Sequence, residues 1–116
     1  MTALADRSGR DVLATGGRLT GAPLNALARE LGPPWAIIGD ELRRRYPFAD
    51  FAAAAAFAAA VAPLADADDH PPDLIVGWGR VDVRLSTHDV DGLSARDFIL
   101  AAKLDRAYAA TRSVSS

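Results

Sequence analysis

The stretch that most constrains this chain is residues 49–66, where two phenylalanines, one valine and one leucine sit in a run built mainly of alanine. Alanine has the highest intrinsic helix propensity and no stake in a pleated sheet. Phe51, Ala54, Ala58 and Val61 fall on one stripe at helical spacing, with Phe57 beside it. The small side chains let a sheet approach closely, so the helix needs a sheet to cover. All three of Phe48, Phe51 and Phe57 are expected in the core. Pro63 is expected to kink or loosen the last turn. The apolar part, 51–65, falls short of the ~20 residues that a membrane span needs.

The sheet is legible on both sides of this helix. Residues 23–31 read as a short helix through Leu24, Leu27 and Leu31, stopped by Gly32-Pro33-Pro34. Residues 35–38 form a short apolar strand, Gly39-Asp40 a turn, and residues 41–48 an alternating strand. On that strand Leu42, Tyr46 and Phe48 share a face, and Arg44 intrudes on it. Residues 73–78 are β-rich, and residues 81–87 place Val81, Val83 and Leu85 opposite Asp82, Arg84 and Ser86. The turn between these strands falls at residues 77–80. A final helix runs from Ser94 to about Tyr108, opened by the capping pattern Ser94-x-x-Asp97. The fold class predicted is α+β: a two-layer domain with a four-stranded antiparallel sheet and three helices on one face. Residues 1–20 are read as a flexible arm, 21–112 as the domain and 113–116 as a loose tail.

Charge and composition narrow the function. With 13 basic and 15 acidic side chains the net charge is -2, which argues against nucleic acid as a partner. There is no cysteine, so disulfides and thiolate chemistry are excluded. Residues 1–7 lack the apolar block of a signal peptide, and a cytoplasmic location is expected with no membrane association.

The candidate chemistry rests on the only two histidines, His70 and His88. In an antiparallel hairpin, opposed residues have a constant index sum. A turn centred on Gly79 sets that sum near 158, which is also the sum for His70 and His88. The imidazoles are thus expected in one pocket at the sheet end, with Asp66 one helical turn before His70 and Asp97 at the start of the last helix. Two histidines with nearby carboxylates suit general acid–base work near neutral pH. The plainer alternatives are a histidine complementing a helix dipole and an aspartate that only caps. A metal site at His70, His88 and Asp66 is a rival without a close paired-ligand motif.

These residues have a recognisable spacing. Asp66, three residues, His70-Pro71-Pro72, five residues, Trp78, nine residues, His88, eight residues, Asp97 resembles the motif of the pterin-4a-carbinolamine dehydratase family. The flanks Tyr46-Pro47-Phe48-Ala49-Asp50-Phe51, Leu85-Ser86-Thr87-His88 and Gly92-Leu93-Ser94 are similar too. The resemblance implies a hydro-lyase that converts a 4a-hydroxytetrahydropterin to quinonoid dihydropterin without metal or cofactor, in a homodimer or homotetramer. It implies His70 and His88 as the acid–base pair, Asp66 orienting His70, Trp78 lining the pocket and Asp97 positioning the loop. One departure stands out: Pro71 occupies the position of the family's second histidine and removes a side-chain donor and an N–H. The resemblance therefore also allows a catalytically degenerate scaffold that binds a protein client, such as Rubisco in α-carboxysome bacteria.

Overall fold

In the computed structural model, which describes residues 3–8 and 17–114, three helices lie on one face of one sheet. The helices are α1 (Gly21–Leu31), α2 (Phe51–Ala67) and α3 (Ala95–Val114). The strands are β1 (Ala36–Ile38), β2 (Glu41–Pro47), β3 (Asp73–Gly77) and β4 (Arg80–Leu85), all paired antiparallel in the order β1-β2-β4-β3. Both hairpins fall where their turn residues put them. Gly39 and Gly79 supply the positive φ values of +61° and +77° that tight two-residue turns require. Among the described residues no helix is long and apolar enough to cross a membrane.

The alternation of β4 does what its pattern requires. Val81, Val83 and Leu85 are buried under the helices, while Arg84 is exposed on the far face. Helix α2 starts at Asp50, whose carboxylate accepts from the Ala53 N–H at 2.8 Å. It buries Ala54, Phe57, Val61 and Ala65 and runs through Pro63 to Ala67. The core expectation for Phe51 is corrected: its ring is 49 % exposed. It sits in the first turn of α2, ahead of the buried Ala54 and Phe57. Ahead of the domain, Leu4 is buried, and the Leu19 N–H bonds the Leu93 carbonyl at 2.7 Å. Residues 1–2 and 9–16 of the expected loose arm, and the end of the tail, 115–116, lie outside the described residues.

Arg44, the residue that broke the alternation of β2, is the centre of a part-buried polar cluster. Its guanidinium lies 4.1 Å from the centroid of the Tyr46 ring and donates to Asp105 of α3 at 2.8 Å. The same carboxylate accepts from Trp35 Nε1 at 3.0 Å and from the Tyr46 hydroxyl at 2.5 Å. Burial, and then the adjacent Asp105 carboxylate, push the Tyr46 phenol far above its ordinary value, so it stays a donor. Asp105 therefore ties α3 to β2 and to the residue that leads into β1.

Candidate functional site

The site forms where the end of α2, the end of β4 and the start of α3 meet. Helix α2 ends at Ala67, with Asp68 as its C-cap and Asp69 in the left-handed region at φ 51°. The Asp69 N–H returns to the Asp66 carbonyl at 3.1 Å, and the His70 N–H to the Ala65 carbonyl at 3.0 Å. This paired pattern is a Schellman closure, and it folds His70 back into the domain. Lys103 of α3 clamps the buried Asp68 carboxylate at 2.7 and 2.9 Å. Because an aspartate holds a conformation that glycine adopts freely, Asp69→Gly is expected to raise stability by about 0.5–1 kcal/mol. A denaturant titration checks it, and an unchanged midpoint would contradict the assignment of strain to this residue.

His70 and the fully buried Asp97 are the core of the site. His70 Nε2 lies 2.6 Å from Asp97 Oδ1, with the two side chains 6 % and 0 % exposed. The other carboxylate oxygen accepts from Thr87 Oγ1 at 2.8 Å and from the Ser94 N–H at 3.0 Å. A carboxylate accepts, so the network assigns the Nε2 proton to His70 and leaves Nδ1 outside it. No described residue bonds Nδ1. Thr87 spends its proton on Asp97, so Ser94 Oγ donates to Thr87 Oγ1 across 2.7 Å and accepts from the Arg96 N–H at 3.3 Å. Ser94 and Asp97 thus form a capping box in which the carboxylate also holds a histidine.

His88 stands on the exposed 3₁₀ turn that follows β4, His88–Val90, and Asp91 closes the turn at φ 50°. His70, Pro71 and His88 line one cavity of about 360 Å³, together with Thr87 and Arg96. Three exposed carboxylates, Asp69, Asp73 and Asp89, also line it.

The structure redistributes the other expected site residues. Asp97 is the carboxylate that meets His70, and Asp66 is exposed at the end of α2. Trp78 is 75 % exposed in the β3–β4 turn, at the opposite end of the hairpin from this cavity, and does not line it. The hairpin sum is 157, as in Val76↔Val81, because the turn is centred between Trp78 and Gly79. The histidines are therefore not cross-strand partners. They share the cavity because the helix closure and the 3₁₀ turn converge there. Among the described residues, no group of three or more His, Cys, Asp or Glu is placed to hold a metal ion. Sequence reasoning missed Arg96, a buried arginine one residue before Asp97, and Thr87, which bonds the same carboxylate. The capping pattern that flagged Ser94 and Asp97 was the available signal for both.

Comparison with known proteins identifies the family. The profile of the family described as Pterin 4 alpha carbinolamine dehydratase matches residues 17–107. A Rubrobacter xylanophilus protein with a provisional pterin-4-alpha-carbinolamine dehydratase name is 43 % identical over 89 residues, covering 76 % of this chain and 82 % of its own. A Rhodospirillum rubrum protein with the same provisional name is 48 % identical over 85 residues, covering 70 % and 88 %. The crystal structure of a transcriptional coactivator/pterin dehydratase from Brucella melitensis superposes with a TM-score of 0.74 at 32 % identity, over 79 % of this chain and 99 % of that one. On the extent of these matches, the chain belongs to the pterin 4 alpha carbinolamine dehydratase family.

Proposed function

We propose that this chain dehydrates a 4a-hydroxytetrahydropterin to quinonoid dihydropterin in the His70–His88 cavity. The observation that carries the reading is the Asp97-anchored His70, whose Nδ1 is unspent in a cavity that also receives His88. In this reading His70 Nδ1 takes the ring N–H proton, and Asp97 stabilises the imidazolium that forms. The C4a–O bond breaks as His88 delivers a proton to the leaving hydroxyl, and water departs. His88 is exposed, so bulk solvent restores its proton. The reaction is expected in the cytoplasm.

Pro71 lines this cavity and offers a ligand no side-chain hydrogen bond. In this reading it weakens the site. One lost hydrogen bond of about 1–3 kcal/mol lowers turnover roughly 5- to 150-fold. The test is the dehydration rate of wild type beside Pro71→His. A gain of that size supports a site missing one group. Equal rates would show that Pro71 is not what limits it.

A second reading, a scaffold for a protein client such as Rubisco, is favoured by Trp78 and Phe51, exposed 75 % and 49 %. Such aromatic surface suits contact with another chain, either a client or a second copy in a homodimer or homotetramer. It predicts no turnover by wild type or Pro71→His, and a complex recovered with purified Rubisco.

A further inference from the structure

Arg96 is a cation with little to hold. It is 5 % exposed, and its one side-chain hydrogen bond runs from Nη2 to the Asp69 carbonyl at 2.7 Å. Its Nε is buried without a partner among the described residues. Nη1 bonds no described residue. Among the described residues no carboxylate pairs with the guanidinium: the adjacent Asp97 is spent on His70, Thr87 and the Ser94 N–H. Leaving one buried donor unpaired costs about 1–3 kcal/mol, so this guanidinium is held in place at a cost. Arg96 lines the same cavity as His70 and His88.

We propose that Arg96 anchors the ligand of this cavity by donating to a ring carbonyl oxygen. The rest of the lining selects the class of ligand. Three carboxylates, Asp69, Asp73 and Asp89, share the lining with this single arginine, so a phosphate or carboxylate group would meet net repulsion. A neutral heterocycle that presents a lactam, with one carbonyl acceptor beside N–H donors, satisfies both signs at once. The carbonyl faces the guanidinium and the N–H groups face the carboxylates. The pyrimidinone ring of a pterin is such a lactam. The inference rests on the pterin reading above, and it adds the contact that fixes the ring's orientation. Arg96 also holds the Asp69 carbonyl, so ligand and His70 loop are positioned by one side chain.

The test compares binding of a tetrahydropterin with that of its 2,4-diamino counterpart, in which the carbonyl acceptor becomes a donor. The wild-type chain is expected to prefer the tetrahydropterin by about 10- to 100-fold, the range of a charge-assisted hydrogen bond. Arg96→Met is expected to abolish that preference, and Arg96→Lys to retain part of it. Because each protein serves as its own control, a variant with a merely loosened His70 loop would weaken both ligands and keep the preference. If Arg96→Met does not fold, Arg96→Lys carries the test, and a full wild-type preference there overturns the anchor. A wild-type chain that binds both ligands equally also overturns the anchor while leaving the pterin reading standing. A wild-type chain that binds neither overturns both.

Discussion

Replacing Asp105 by alanine will cost the fold about 3–4 kcal/mol, one of the two largest effects expected from single substitutions here. One carboxylate serves three donors: Trp35 Nε1, the Arg44 guanidinium and the Tyr46 hydroxyl. Tyr46 is fully buried and the Arg44 side chain is 13 % exposed, so neither gains full hydration when its acceptor is removed. Buried donors left unpaired cost about 1–3 kcal/mol each, and a stranded buried charge costs more. Asp105 itself is 30 % exposed, which holds the total below that of a fully buried pair. For a domain of this size the melting temperature should fall by roughly 10–20 °C. Asp105→Asn, which keeps a carbonyl acceptor, should lose less than half as much. The double variant Arg44→Met/Asp105→Leu should recover only part of the loss, because it removes the stranded charge but leaves Trp35 Nε1 and the Tyr46 hydroxyl without their acceptor. A loss below 1 kcal/mol for Asp105→Ala would show that the cluster is not what ties α3 to the sheet.

The second large effect is on chemistry. Asp97→Asn keeps the size of the side chain and a carbonyl for the Thr87 and Ser94 donors. It places an amide N–H opposite His70 Nε2, where the carboxylate accepts at 2.6 Å. His70 would then accept at Nε2 and carry its proton on Nδ1, which is the wrong tautomer for a base facing the cavity. The dehydration rate is expected to fall about 10³- to 10⁴-fold, as it does when a histidine base loses the carboxylate that sets its tautomer. Binding of the substrate should change far less, since the cavity keeps its shape. Stability should fall by about 1.5–3 kcal/mol, the range for a charge-assisted hydrogen bond in a buried network. A variant that turns over at the wild-type rate would remove Asp97 from the account.

Much of the fold was legible because its signals are local. Gly39-Asp40 and residues 77–80 set both turns, and the alternation from Val81 to Leu85 set the buried face. Arg44 looked like an error in that pattern. Its partner lies 61 positions later on α3, and no local rule links the two. Phe51 matched the helical stripe but stays half exposed, since periodicity gives direction around a helix and not how far the covering core extends along it. The placement of the histidines was reached by an argument with one step displaced. The turn is centred half a residue earlier than assumed, and a shift of one in the index sum exchanges faces. Asp66 looked closest to His70 by helical spacing, but the Schellman closure ends the helix first and turns His70 toward Asp97. Trp78 carries the motif spacing, yet the hairpin holds it at the far end of β3.

The most direct test of the central claim is a stopped-flow measurement of 4a-hydroxytetrahydropterin dehydration with wild-type chain, with His88→Ala and with buffer alone. His88 is exposed on a 3₁₀ turn, so its removal should leave the fold intact and take away only the proton donor. The account predicts that wild type exceeds the buffer rate and that His88→Ala loses about 10²- to 10⁴-fold of that acceleration. Equal rates in wild type and buffer, or full activity in His88→Ala, would contradict it.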